Sequence, residues 1–197
     1  MAAEERSMNR LSTGQDKEDA TGACTTICTY VASYFCSLKE ESGVLEDVIV
    51  QMIVRGSIRW KEVIAPEWSS VQNAFMKTLQ ARMCIRYEQW NRPNAYEGRI
   101  VIDLRRSIES GRKKFKQPFA MFFCGLDHTY AFLLRRYREE IYFFDPHGTN
   151  GVFEKIKDVD DMIRVIHEFC GFTSKVDYEI VWAQHKHTMD QFRIKLN

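Results

Sequence analysis

Acyl-transfer chemistry needs a nucleophile, a base and a group that orients the base, and this chain carries candidates for each. Cys24 stands in Ala20-Thr21-Gly22-Ala23-Cys24-Thr25-Thr26-Ile27, where an apolar periodicity begins. A cysteine in the first turn of a helix meets unpaired N–H dipoles that favour its thiolate. The same dipoles can hold the oxyanion of an acyl intermediate. Gly22 lets a substrate come close to the backbone. Read by itself, Cys24 is equally a buried structural thiol, because cysteine is among the most buried residue types.

The second element is Ile141-Tyr142-Phe143-Phe144-Asp145-Pro146-His147-Gly148, an apolar run that ends in two ionisable residues. Residues i and i+2 of an extended chain share a face, so Asp145 and His147 can point the same way. Pro146 biases Asp145 towards extended geometry and ends sheet pairing. An aspartate beside an imidazole fixes its tautomer and stabilises the imidazolium. Asp-Pro-x-Gly is also an ordinary turn. His128 is a rival base, at the head of the preceding apolar run. If Arg136 and Tyr137 form the intervening turn, His128 lies across from Asp145. If Tyr137 and Arg138 form it, His128 lies across from His147. Cross-strand neighbours of either kind are within reach of one another. The residues alone leave the choice of base open.

These side chains must be held by something. The 197 residues fit one domain, and 45% of them are apolar, enough for a core. Residues 1–19 are polar and read as an arm, flexible or docked, before a single domain over 20–197. Ile27, Val31, Tyr34 and Phe35 predict a buried helix capped by Thr21 or Gly22. Its β-branched content makes that helix depend on packing. Further helices are predicted over 43–54, stopped by Gly56, over 69–83 and over 159–169. The stretch 90–97 reads as a loop. Ile100-Val101-Ile102 is either a strand or the opening of a helix through Ile108. Residues 119–124, 128–134, 141–145 and 178–182 read as strands. Helices first and an antiparallel sheet after them is an α+β layout.

The formal charge is +1, with 28 basic against 27 acidic residues, which argues against a dedicated nucleic-acid partner. The run Arg112-Lys113-Lys114-Phe115-Lys116 reads as a solvated helix end. Cys24, Cys28, Cys36, Cys84, Cys124 and Cys170 form no CxxC pair, so zinc-knuckle and thioredoxin signatures are absent. His185-Lys186-His187 is a poor metal signal, and His167 reads as structural, so no metal and no cofactor is expected. The chain start is not a signal peptide, and no apolar run reaches the ~18 residues of a membrane span. The expectation is a monomer with reduced thiols in a cytosol-like compartment, without a membrane.

In the order and type of these motifs the chain resembles the herpesvirus large-tegument-protein deubiquitinase domain and its non-herpesviral relatives, the viral-tegument-like deubiquitinases. The resemblance rests on Gly22-Ala23-Cys24 opening a helix, Gly56-Ser57 after a second one, the strand pair 128–134 and 141–145, and Asp145-Pro146-His147-Gly148. It spans residues 15–148. It implies a papain-like cysteine protease fold, with an N-terminal helical part packed on an antiparallel sheet. It implies Cys24 as nucleophile, His147 rather than His128 as base, Asp145 as its partner, and Gln15 as an oxyanion-hole donor. Where many members carry glutamine just before the cysteine, this chain has Ala23. The implied activity is hydrolysis after the C-terminal glycine of ubiquitin or polyubiquitin through a Cys24 thioester, in a host cytoplasm or nucleus. The alternatives are a papain-fold protease or acyltransferase acting on another ubiquitin-like modifier or a peptide, and an inactive module that binds a ubiquitin-like protein.

Overall fold

The computed structural model of the chain describes residues 9–39, 42–67, 83–86, 92–115, 118–125, 128–135, 139–158, 160–161, 164–165 and 175–185. Helix α1 spans Cys24–Ser37 and α2 spans Glu46–Arg59, continuing as a π-helical turn Trp60–Ile64 and a short 3-10 turn Ala65–Glu67. Strands β1 (Met83–Arg86) and β2 (Arg92–Ala95) precede helix α3 (Glu97–Lys114). Then come β3 (Phe119–Cys124), β4 (Thr129–Arg135), β5 (Glu140–Asp145), β6 (Val152–Ile156) and β7 (Val176–His185). The strands form a mixed-order antiparallel sheet, β1-β7-β3-β4-β5-β6, with β2 also paired to β7.

Alternation along the strands sorts their side chains onto two faces. Ala120 and Phe122 of β3, Ala131 and Leu133 of β4, Phe144 of β5, and Val181 and Ala183 of β7 face α1. There they meet Ile27, Val31 and Phe35, with Ile49 and Ile53 of α2 behind. Phe119, Met121, Phe123, Phe132, Leu134, Ile141, Phe143, Ile180 and Trp182 face the other way, onto Ile100, Leu104 and Ile108 of α3. The central strands are therefore buried on both faces, which is why they read as unbroken apolar runs. Packing of this kind holds α1, whose threonines and Ile27 give it poor intrinsic propensity.

Several expectations are corrected. The sheet does not simply follow the helices: its strands β1 and β2 precede α3, which covers its second face. Residues 100–102 lie inside α3, since Ile100, Leu104 and Ile108 recur at helical spacing. Residues 92–95 form a short strand despite Pro93, at an irregular pairing to β7. Gly56 does not end α2. It lies inside the helix because α1 crosses there: a Cβ on Gly56 would sit 2.8 Å from Ile27 Cα. Ala23, not Thr21 or Gly22, caps α1. Gly22 instead turns the chain at φ +87°, a conformation glycine adopts at no steric cost. Met83 opens β1; the rest of the helix predicted over 69–83, together with His167, Cys170 and His187, lies outside the described residues. Of residues 159–169, only 160, 161, 164 and 165 are described, and they are helical.

Cys24, Cys28, Cys36 and Cys124 are free and buried. Burial pushes the thiols of Cys28, Cys36 and Cys124 well above their usual range. A raised folded-state pKa means that these groups support the fold below the unfolded thiol pKa of about 8.5 and cease to as pH rises past it. Stability is therefore expected to fall above about pH 9, by roughly 1.4 kcal/mol per thiol per pH unit. Urea denaturation at pH 8 and pH 10 measures this, and Cys36→Ala should flatten the loss.

Candidate active site

Residues 9–20 run along the loop that follows β5. The amide of Leu11 donates to Gly151 O, that of Gly151 to Thr13 O, that of Gln15 to Pro146 O and that of Asp16 to Gly148 O. Asn150 Nδ2 donates to Leu11 O, and Arg10 bridges Val152. Leu11, Thr13 and Gln15 are buried by this docking. The chain then turns at Gly22 and enters α1 at Cys24. This path brings Gln15 and Cys24 to the end of the sheet where β5 delivers Asp145 and His147.

At the start of α1, Ala23 supplies no side-chain acceptor, and no acidic residue stands in the first turn. The positive end of the helix thus faces Cys24 uncompensated by a carboxylate of its own. Cys24 is 6% exposed. Burial, the larger effect, raises its thiol pKa; the backbone and hydroxyl groups of Thr129 and Thr25 pull it back down. Burial thus opposes the thiolate that the helix end and the threonines favour.

Two imidazoles are present. The register of β4 on β5 runs from Ala131↔Phe144 to Arg135↔Glu140. Carried outward, it sets His128 opposite His147; residues 136–138, on which the expected turn falls, lie outside the described residues. The two rings meet edge to face, with centroids 4.6 Å apart. His128 Nε2 lies 2.8 Å from Asp145 Oδ1, a diagonal cross-strand contact. The same Oδ1 accepts the His147 backbone N–H at 2.8 Å. His128 also stacks at a tilt on Tyr130, centroids 4.4 Å apart. Gln15 Nε2 is 3.1 Å from His147 Nδ1. Gln15 is 3% exposed, and its Oε1 has no partner among the described residues.

Alternation places Asp145 and His128 on the α3 side of the sheet, with Phe143 and Tyr130, and Thr129 on the α1 side, with Ala131. The cluster therefore straddles the end of the sheet. The structure gathers Gln15, His128, Asp145 and His147 in one hydrogen-bonded group beside the β4 residue whose groups act on Cys24. His185 closes β7. Among the described residues, no group of three His, Cys, Asp or Glu could hold a metal ion, and no helix is long and apolar enough to cross a membrane. Sequence reasoning did not single out Thr25 and Thr129. Nothing local marks them, because their contact joins residues 104 positions apart.

This arrangement can be compared with known proteins. No family model matches the chain, and no curated protein matches it in sequence. A solved structure does resemble it. The ubiquitin-specific protease encoded by a murine cytomegalovirus tegument protein, solved in complex with a ubiquitin-based suicide substrate, aligns with a TM-score of 0.63. The alignment covers 90% of this chain and 85% of that one, at 15% identity. The likeness is one of fold. It holds for helices packed on an antiparallel sheet and extends over nearly the whole chain.

Proposed function

We propose that the chain is a cysteine-type deubiquitinase of papain-like fold. Cys24 is the nucleophile, His147 the base, Asp145 the acid that positions it through its backbone N–H rather than its ring, and Gln15 an oxyanion donor. The observation that carries this is the 3.1 Å contact between Gln15 Nε2 and His147 Nδ1. It brings the two residues farthest apart in the candidate set together, at the sheet end faced by the N-terminus of α1. The fold likeness to a viral ubiquitin-specific protease supports the choice of substrate.

In the reaction, the Gln15 amide leaves the lone pair of His147 Nδ1 for the substrate's carbonyl oxygen, and the freed nitrogen takes the Cys24 proton as the sulfur attacks the carbonyl carbon of the terminal glycine of ubiquitin. The carbonyl oxygen gains charge against first-turn N–H groups and the Gln15 amide. The C–N bond breaks, and the leaving lysine amine takes the proton from the imidazolium. Water then attacks the thioester and gives up a proton to His147. The C–S bond breaks, releasing the ubiquitin carboxyl group and restoring the thiol. The chemistry requires no cofactor, and ubiquitin is the partner the site is read to take.

A second reading exchanges the imidazoles. His128 donates from Nε2 to Asp145, which leaves Nδ1 with a lone pair to accept the thiol proton.

Ubiquitin carrying a C-terminal electrophile tests the activity. The expected product is a single adduct on the Cys24 peptide. Labelling that persists in Cys24→Ala would overturn the assignment. Labelling by a different ubiquitin-like probe alone would move the substrate, and binding of ubiquitin without any adduct would favour an inactive binding module.

A further inference from the structure

A buried hydroxyl pair joins the nucleophile's helix to the strand that carries one of the imidazoles. Thr25 Oγ1 and Thr129 Oγ1 are 2.8 Å apart, and both residues are buried. Each is the next residue along the chain from a candidate catalytic group, Thr25 from Cys24 and Thr129 from His128. Two further bonds fix the pair. Thr29 Oγ1 donates to Thr25 O at 2.8 Å, and Cys28 Sγ donates to Thr129 O at 3.3 Å. The first turn of α1 is thus fastened to the head of β4 by side chains, where no backbone ladder can join a helix to a strand. Buried hydroxyls placed without a partner are costly. Valine has nearly the same shape and would fill both positions without that risk, so packing alone does not call for threonine.

We infer that Thr25 and Thr129 are positioning residues for the nucleophile, a hydroxyl latch that fixes Cys24 relative to His128 and directs a donor at its sulfur. In the pair, one hydroxyl donates to the other, and the second hydroxyl keeps a proton to give away. Hydroxyl and backbone groups of Thr129 and Thr25 all favour the Cys24 thiolate. A donor aimed at sulfur is strengthened as charge develops there, when the base removes the proton. The latch thus offsets part of the burial that opposes the thiolate. Among the described residues, the other titratable groups around this end of the sheet include Cys28 on α1, Cys124 and Glu179 on β3 and β7, His128, Asp145 and His147.

The inference rests on Cys24 being the reactive thiol, and its test needs no ubiquitin. The rate of carboxymethylation of the Cys24 peptide is followed by mass spectrometry against pH, in the intact chain. Loss of a hydrogen bond to a charged group corresponds to about one pH unit. Thr129→Val and the double variant Thr25→Val/Thr129→Val should move the midpoint up by about that much. Thr129→Ser, which keeps the hydroxyl, should restore the parent curve. The double variant removes both partners and leaves no orphaned hydroxyl, so it keeps the fold if Thr129→Val alone does not. Folded valine variants whose curves superpose on the parent would overturn the inference, as would a serine variant that behaves like valine. A normal shift with no ubiquitin adduct would sink the deubiquitinase reading and leave the latch standing.

Discussion

His147→Ala is expected to lower the rate of ubiquitin-probe labelling and of turnover by about a thousandfold, and His128→Ala by about tenfold. The difference follows from what each ring touches. His147 meets the buried Gln15 amide at Nδ1, and in the proposed mechanism the amide passes from that nitrogen to the substrate's carbonyl oxygen. His128 is held by Asp145. Removing its ring deprives Asp145 of one donor but leaves it the His147 backbone N–H. Asp145 would then still fix the segment that carries His147. The opposite order, with His128→Ala abolishing turnover and His147→Ala nearly silent, would make His128 the base and Gln15 a support for an accessory ring. Thermal unfolding of both variants separates lost chemistry from lost fold. A drop in labelling without a drop in melting temperature is the expected pattern for each.

The parts of the fold that were legible in the sequence are those whose local pattern and tertiary role agree. Residues 119–124, 130–134 and 141–144 are apolar throughout because α1 and α3 bury both faces. That same uniformity hid which side chains face which helix. Alternation was missing, and the second layer formed by α3 could not be anticipated from it. Val152–Ile156 follows a glycine-rich loop and turns Lys155 to solvent, so it lacked a strand signal; its pairing with β5 and the bridge to Arg10 create it. Gly56 carried a stop signal that the close crossing of Ile27 overrode. At the site, residue type and spacing singled out Cys24, Asp145, His147 and His128 as candidates and left the choice between the two imidazoles open. The nearness of His128 to Asp145 and His147 was legible under either register of the hairpin; which atoms meet, His128 Nε2 on Asp145 Oδ1, was not. The Thr25–Thr129 pair depends on how α1 sits across β4, which no local pattern encodes.

Gly14→Ala is expected to cost about a hundredfold in probe labelling, although residue 14 offers no chemical group. A Cβ there would lie 2.3 Å from Gly148 O, 2.8 Å from Gly151 N and 3.1 Å from Pro146 O. All three atoms are backbone, so no side chain can swing aside; the arm or the loop must move. The arm carries Gln15, and the loop carries His147, so either movement opens the Gln15–His147 contact. A displacement of about 1 Å at a reacting group is enough for a loss of that size. The fold should survive, because the main core contacts of α1 and the central sheet lie away from this crossing. Gly43→Ala is the control, since a Cβ there meets nothing within 4 Å. Parent-like labelling by Gly14→Ala would mean that the arm can shift without disturbing the site, and Gln15 would lose its place in the mechanism. A large loss with an unchanged Cys24 carboxymethylation curve would instead locate the damage at the imidazole and the oxyanion donor, and leave the thiol end of the site intact.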